Sequence, residues 1–305
     1  MKTAFIGTVE GSAIALEALA RTGLAPRLVV TLPPAAAHRH SDYADLAPLA
    51  RTCGSQLLYA TDVNAPPVIE ALSALKTDLA LVIGWSQICG PAFRSSARLG
   101  AVGFHPAPLP RMRGRAVIPW TILLGETTTA ASLFWLDEGV DSGPLLRQET
   151  IEVAEDETAR TLYLKQTGTL ARMLPEAVEL VRCGNAPRIE QDHARATYCA
   201  KRTPQDGLID WHQPAQTALR LIRAVGDPYP GAFTAYNVHK LIIDAAEPFA
   251  EAHRFIGLPG QVVSDTPQGF VVRCGDGDCL HITSWRLDGE ARKPRLHSKL
   301  GAHAP

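Results

Sequence analysis

No stretch of the 305-residue chain approaches the ~18 uninterrupted apolar residues that a membrane-spanning helix needs. Charge of neither sign dominates: 30 Lys and Arg face 31 Asp and Glu, so the chain as a whole carries no electrostatic footprint for a polyanion. The six cysteines (Cys53, Cys89, Cys183, Cys199, Cys274 and Cys279) fall at irregular intervals. None has companions spaced to complete a metal-ligand set, so no metal is expected, and they read as reduced thiols of a cytoplasmic protein. H-E-x-x-H, G-x-S-x-G and G-x-G-x-x-G are all missing, which excludes the commonest zinc hydrolase, α/β-hydrolase and dinucleotide-binding patterns. Gly7 and Gly11 in GTVEGS suit a tight strand-to-helix turn. The opening MKTAFIGTVEGSA has too short an apolar run for a secretory signal and reads as a first strand.

What is present alternates. Short, nearly all-apolar runs (TAFIGT, RLVVTL, QLLYAT, LALVIGW, AVGFH) are separated by helical segments, as in parallel strands buried on both faces. One helix is expected over 41–54, with Ser41 as N-cap and Gly54 beyond its end. AASLFWL and PLLRQETIEV add two strands, and a long amphipathic helix runs from Ala159 to Arg182. This pattern predicts an α/β fold with a doubly wound, mostly parallel sheet. After residue 205 come a helix and short strands broken by turns, which predict a smaller β-barrel. The expected division is 1–190, a linker over 191–205, and 206–305.

His105 ends the strand AVGFH, on the side where parallel α/β sheets collect ligands. A histidine there is by default structural. Two neighbours point further. The loop PAPLPRMRGR is stiffened by three prolines and carries Arg111, Arg113 and Arg115, which can meet an anionic substrate. The turn WLDEGVDSG ends the next strand and brings Asp137, Glu138 or Asp141 to the imidazole, the arrangement of a general base and its orienting carboxylate. Gly139 and Gly143 let backbone approach a ligand closely.

HPAPLPRMRGRAVIPW followed by LDEGVDSGPLL resembles the signature of the formyltransferases that use N10-formyltetrahydrofolate, among them methionyl-tRNA formyltransferases and sugar N-formyltransferases. The likeness continues through YCAKRTPQDGLIDWHQPAQTALRLIRAVGDPYPGAF and CGDGDCLHI, so it spans most of the chain. It implies a Rossmann-like catalytic domain with an OB-like C-terminal domain and N10-formyltetrahydrofolate as formyl donor. His105 and Asp141 match the family's catalytic histidine and aspartate. Trp85, Ile88, Leu109, Pro110, Asp137 and Gly139 match its folate pocket. The family also keeps an asparagine two residues before the histidine to hold the developing oxyanion, and Gly103 stands there. Loss of one such donor costs about 10²–10³ in rate. A water or the hydroxyl of Ser132 or Ser142 in its place, a shifted backbone, or a folate- or nucleotide-binding homologue with weak transfer all remain open.

For the acceptor, an RNA predicts a basic surface. LPPAAAHRHSDYAD carries one arginine and no lysine, and residues from Asp206 onward hold ten Lys and Arg against eleven Asp and Glu. This favours a small amine, such as a nucleotide-linked amino sugar with its diphosphate on the loop arginines. The alternative is methionyl-tRNA. No membrane partner is expected, and the oligomeric state is open.

Overall fold

The computed structural model describes residues 1–287 and 293–301. Contacts divide the chain into two units, each built from more than one segment: 1–117 with 128–152 and 163–200, and 118–127 with 153–162 and 201 onward.

The first unit holds a seven-stranded sheet in the order β3-β2-β1-β4-β5-β7-β8. Its members are β1 (Thr3–Ile6), β2 (Leu28–Thr31), β3 (Gln56–Tyr59), β4 (Leu79–Val82), β5 (Ala101–His105), β7 (Thr128–Trp135) and β8 (Leu145–Glu152). The first five run parallel, while β7 and β8 are antiparallel additions. Alternation of side chains explains the apolar runs. Ala4, Ile6, Leu28, Val30, Ala80 and Val82 pack on one face with Val68, Leu72 and Phe93. Their neighbours Phe5, Val29 and Leu81 are as deeply buried on the other. Each such Val, Leu, Ile or Phe side chain contributes about 1.5–3 kcal/mol relative to exposure.

The helices are α1 (Glu10–Arg21), α2 (Ala47–Thr52), α3 (Pro66–Leu75), α4 (Pro91–Ser95), α5 (Val117–Leu123), α6 (Ala159–Arg182) and α7 (Ala215–Val225). The helix expected from Ser41 begins only at Ala47, with Leu46 as N-cap and the Asp45 carboxylate accepting from the Ala47 amide at 2.9 Å. Pro48 fits the late start: proline costs least in a helix's first turn, and α2 opens one residue before it, although α6 accommodates Pro175 in its interior. Tyr43, expected inside that helix, instead pairs as an isolated bridge with Val9. Gly54 lies just past the end at φ +66°, as a helix stop should.

A two-residue parallel pair, β6 (Arg113–Gly114) with β9 (Tyr198–Cys199), ties the segment 191–205 to the loop after His105. In the second unit five antiparallel strands follow the order β10-β11-β14-β13-β12. They are β10 (Ala232–Tyr236), β11 (His239–Pro248), β12 (Val262–Thr266), β13 (Gly269–Arg273) and β14 (Cys279–Leu287). The amphipathic α7 buries Ala218, Leu219 and Ile222. Among the described residues no ladder joins the edge strands β10 and β12. No helix among them is long and apolar enough to cross a membrane.

All six cysteines are free thiols. Burial pushes the Cys89 thiol up to about 12, so it stays protonated far above neutrality. At pH 8, iodoacetamide is expected to label exposed Cys183 in the native protein and to spare Cys89. Peptide mass spectrometry before and after denaturation checks this, and rapid native labelling of Cys89 would contradict the packing described.

Candidate active site

His105 closes β5 and is 5 % exposed. Its Nε2 lies 2.7 Å from the Met112 carbonyl oxygen. A carbonyl only accepts, so Nε2 carries a hydrogen and donates it. Nδ1 faces the Asp141 Oδ2 at 3.5 Å, beyond ordinary hydrogen-bond length. The same Oδ2 accepts from the Gly114 amide at 2.8 Å.

The strands do not bring these groups together in the expected way. β5 and β7 are antiparallel, with His105 opposite Ser132 and Val102 opposite Trp135. β7 therefore ends beside Ala101, whose carbonyl accepts from the Leu136 amide at 2.8 Å. The turn 136–143 has to fold back along the sheet to return Asp141 to the imidazole. Asp141 makes that return at φ +51°, and Met112 delivers its carbonyl at φ +60°. Non-glycine residues in this region cost on the order of 1–3 kcal/mol each and persist only where their surroundings fix them.

Both turn glycines serve the turn itself. A Cβ on Gly143 would stand 1.8 Å from the Trp135 carbonyl oxygen, and one on Gly139 2.1 Å from Ser142 Oγ. Asp137 is held inside the same turn, its Oδ1 accepting from Ser142 Oγ at 2.7 Å and from the Gly139 amide at 3.0 Å.

The space above Gly103 is occupied. A Cβ there would meet Leu136 Cδ2 at 2.7 Å and the Phe134 ring at 3.1 Å. The two hydroxyls weighed as substitutes already donate elsewhere: Ser132 Oγ to the Ala107 carbonyl at 2.6 Å, and Ser142 Oγ to Asp137.

The expected pocket residues are spread over three loops. Trp85 is half-buried, with its indole donating to Gln87 Oε1 at 3.0 Å. Ile88 is 57 % exposed, and Val140 of the aspartate turn is 41 % exposed. Leu109 is buried, its carbonyl accepting from Gln148 Nε2 at 3.0 Å, and Pro110 follows it half-buried.

The three loop arginines part company. Arg111 and Arg115 are exposed. Burial, opposed by Asp42 and aided by the charges of Arg39 and Arg115, holds the His40 imidazole below its ordinary value. Arg113, expected to meet substrate, is 1 % exposed and turned inward. Its guanidinium donates to Gln191 Oε1 at 2.7 and 3.3 Å and to the Tyr198 hydroxyl at 3.1 Å, and lies 3.1 Å from His193 Nδ1. Sequence reasoning missed Gln191 altogether, placing it in a linker. It is 5 % exposed and donates to the carbonyls of Asp141 and Gly143 at 2.9 and 2.7 Å. No periodicity or motif of its own marks it.

Among the described residues no group of three or more His, Cys, Asp or Glu gathers as metal ligands. A groove of about 730 Å³ in the second unit is lined by none of the candidate site residues.

The chain is a two-unit α/β protein whose first unit carries a histidine against an aspartate at its sheet. The chain belongs to the formyl transferase family: residues 1–178 match the family model "Formyl transferase", and 201–294 match "Formyl transferase, C-terminal domain". It is 33 % identical to the methionyl-tRNA formyltransferase of Anaeromyxobacter dehalogenans (strain 2CP-C) over 298 residues, covering 97 % of this chain and 95 % of that one. Two solved structures share the fold. HypX from Aquifex aeolicus in complex with tetrahydrofolic acid is 18 % identical with TM-score 0.68, covering 94 % of this chain and 44 % of HypX, so the chain spans under half of that protein. The N-formyltransferase from Helicobacter canadensis in complex with folinic acid and dTDP-3-aminofucose is 17 % identical with TM-score 0.65, covering 93 % and 99 %. The chain is therefore a formyltransferase, of a family that draws its formyl group from formyltetrahydrofolate.

Because Leu136 and Phe134 fill the space above Gly103, Gly103→Asn is expected to lower stability by about 1–3 kcal/mol. Leu136→Ala in the same chain should recover part of that loss, since the two side chains compete for one volume. Thermal and denaturant melts of the two single variants and the double variant check this. Strictly additive effects would show that the volumes do not compete.

Proposed function

We propose that this chain transfers the formyl group of N10-formyltetrahydrofolate to a primary amine, with His105 and Asp141 handling the proton that the amine gives up. The observation that carries this reading is the paired imidazole and carboxylate, each anchored by backbone. The donor, when bound, supplies an activated formyl carbon. Ile88 and Val140, exposed apolar side chains on the loops after β4 and β7, offer surface for its flat ring, with Trp85, Leu109, Pro110, Asp137 and Gly139 as the other lining residues.

Nδ1 of His105 is the ring nitrogen without a hydrogen bond of ordinary length, and it takes up the acceptor's proton. Nε2 stays bonded to Met112, which fixes the ring's orientation. Asp141, kept in place through Gly114, balances the imidazolium that forms. The position of Gly103 contributes no side chain to this chemistry.

The acceptor favoured by the full-length likeness is the amine of methionine carried on initiator tRNA. A second reading, a nucleotide-linked amino sugar, rests on the β2–α2 connection. It carries Arg39 as its one arginine, and that guanidinium donates to the Thr61 carbonyl at 3.1 Å. Arg111 and Arg115 are then the cations for a diphosphate.

The test presents N10-formyltetrahydrofolate with methionyl-tRNA and with dTDP-, UDP- and GDP-linked amino sugars, and follows tetrahydrofolate release. His105→Ala and Asp141→Asn are expected to lower kcat by about 10²–10⁴. Release that survives both changes would sink the mechanism, and tight folate binding without transfer to any amine would sink the function.

A further inference from the structure

Gln191 lies 50 residues beyond Asp141 in the chain, yet its side chain reaches both loops that touch the imidazole. A glutamine amide has two donor hydrogens and one oxygen that can accept twice. Here all four are used. Nε2 donates to the carbonyls of Asp141 and Gly143, and Oε1 receives Nη2 and Nε of Arg113. The Asp141 end of this link leads to the carboxylate facing His105 Nδ1. The Arg113 end lies one residue from the Met112 carbonyl that holds His105 Nε2, and one residue from the Gly114 amide that holds Asp141 Oδ2. Gln191, Arg113, Gly114 and Asp141 thus form a closed ring of contacts around the imidazole's two partners.

We propose that Gln191 is a positioning residue for the His105–Asp141 pair, acting through the Asp141 peptide on one side and through buried Arg113 on the other. This rests on the reading of that pair as catalytic. Gln191 touches no reacting atom. It holds an aspartate in left-handed backbone and gives a buried, permanently charged guanidinium its main acceptor, so one neutral amide fixes two loops at once. Only an amide can do both. A carboxylate satisfies Arg113 but has nothing to donate to the Asp141 and Gly143 carbonyls, and an apolar isostere does neither.

That asymmetry sets the experiment. Gln191→Glu keeps the acceptor for Arg113 and removes the hold on Asp141, while Gln191→Met removes both. Each variant is compared with wild type for kcat, for KM of the formyl donor, and for hydrogen exchange of the Gly114 and Arg113 amides measured by NMR without substrate. In Gln191→Glu, kcat is expected to fall about 10²-fold with KM for the donor little changed, the size of effect seen when a reacting group is misplaced by an ångström. The Gly114 amide, which donates to Asp141, should lose protection. The Arg113 amide, which donates to the Thr197 carbonyl at 2.8 Å, should keep it. In Gln191→Met both amides should lose protection.

Unchanged kcat, unchanged Gly114 protection, or a loss confined to KM would each overturn the assignment. So would failure of both variants to fold, which would make Gln191 a residue of the fold alone. If wild type transfers formyl to no acceptor, the catalytic reading of the pair fails, and Gly114 exchange still decides whether Gln191 holds Asp141.

Discussion

A carbonyl oxygen cannot donate, and the one on Met112 sits 2.7 Å from His105 Nε2. That single contact decides which ring nitrogen keeps its hydrogen, which way the imidazole faces, and which nitrogen is left facing Asp141. The surroundings follow from the need to put this carbonyl there and a carboxylate on the opposite side. Met112 and Asp141 both take left-handed backbone to do it. Aspartate is among the residues that adopt it at modest cost, but methionine is not, so tertiary contacts have to hold Met112 above all. β6–β9 pairing holds the first loop, and contacts within the turn together with Gln191 hold the second.

The sheet face beneath this pair is closed as well as ordered. Leu136 and Phe134 cover Gly103, while Ser132 and Gln148 brace the proline loop through the Ala107 and Leu109 carbonyls. The polar groups that flank the histidine are occupied with the architecture of the site. At Gly103 the space a side chain would need is given over to packing.

Much of the fold is legible in the sequence because it is written in local pattern. Strands buried on both faces appear as apolar runs, and α6 was bounded correctly because its amphipathic period runs unbroken to Arg182 and stops before Gly184, at φ +75°. The start of α2 is less legible, because Ser41 looks like a cap while the Asp45 carboxylate is the group that takes the first-turn amide of Ala47. The histidine and aspartate were legible as residue types at the ends of strands. Their meeting is legible too, and Asp141 does face the imidazole. The route to it is not, because the direction of β7 is a tertiary fact, and a neighbouring strand end in sequence terms is the wrong end in space. Arg113 reads as a substrate contact while only its charge and loop are known. Its inward turn depends on the left-handed residue before it and on acceptors some 80 residues away. Gln191 left no trace at all, since a side chain that bonds to backbone carbonyls has no periodicity.

The chain passes between its two units five times, because 118–127 and 153–162 leave the first and return to it. The units are therefore interlaced in sequence although each is compact. A crossover near residue 200 would join a foreign C-terminal sheet to two native segments, 118–127 and 153–162, that belong to the same unit.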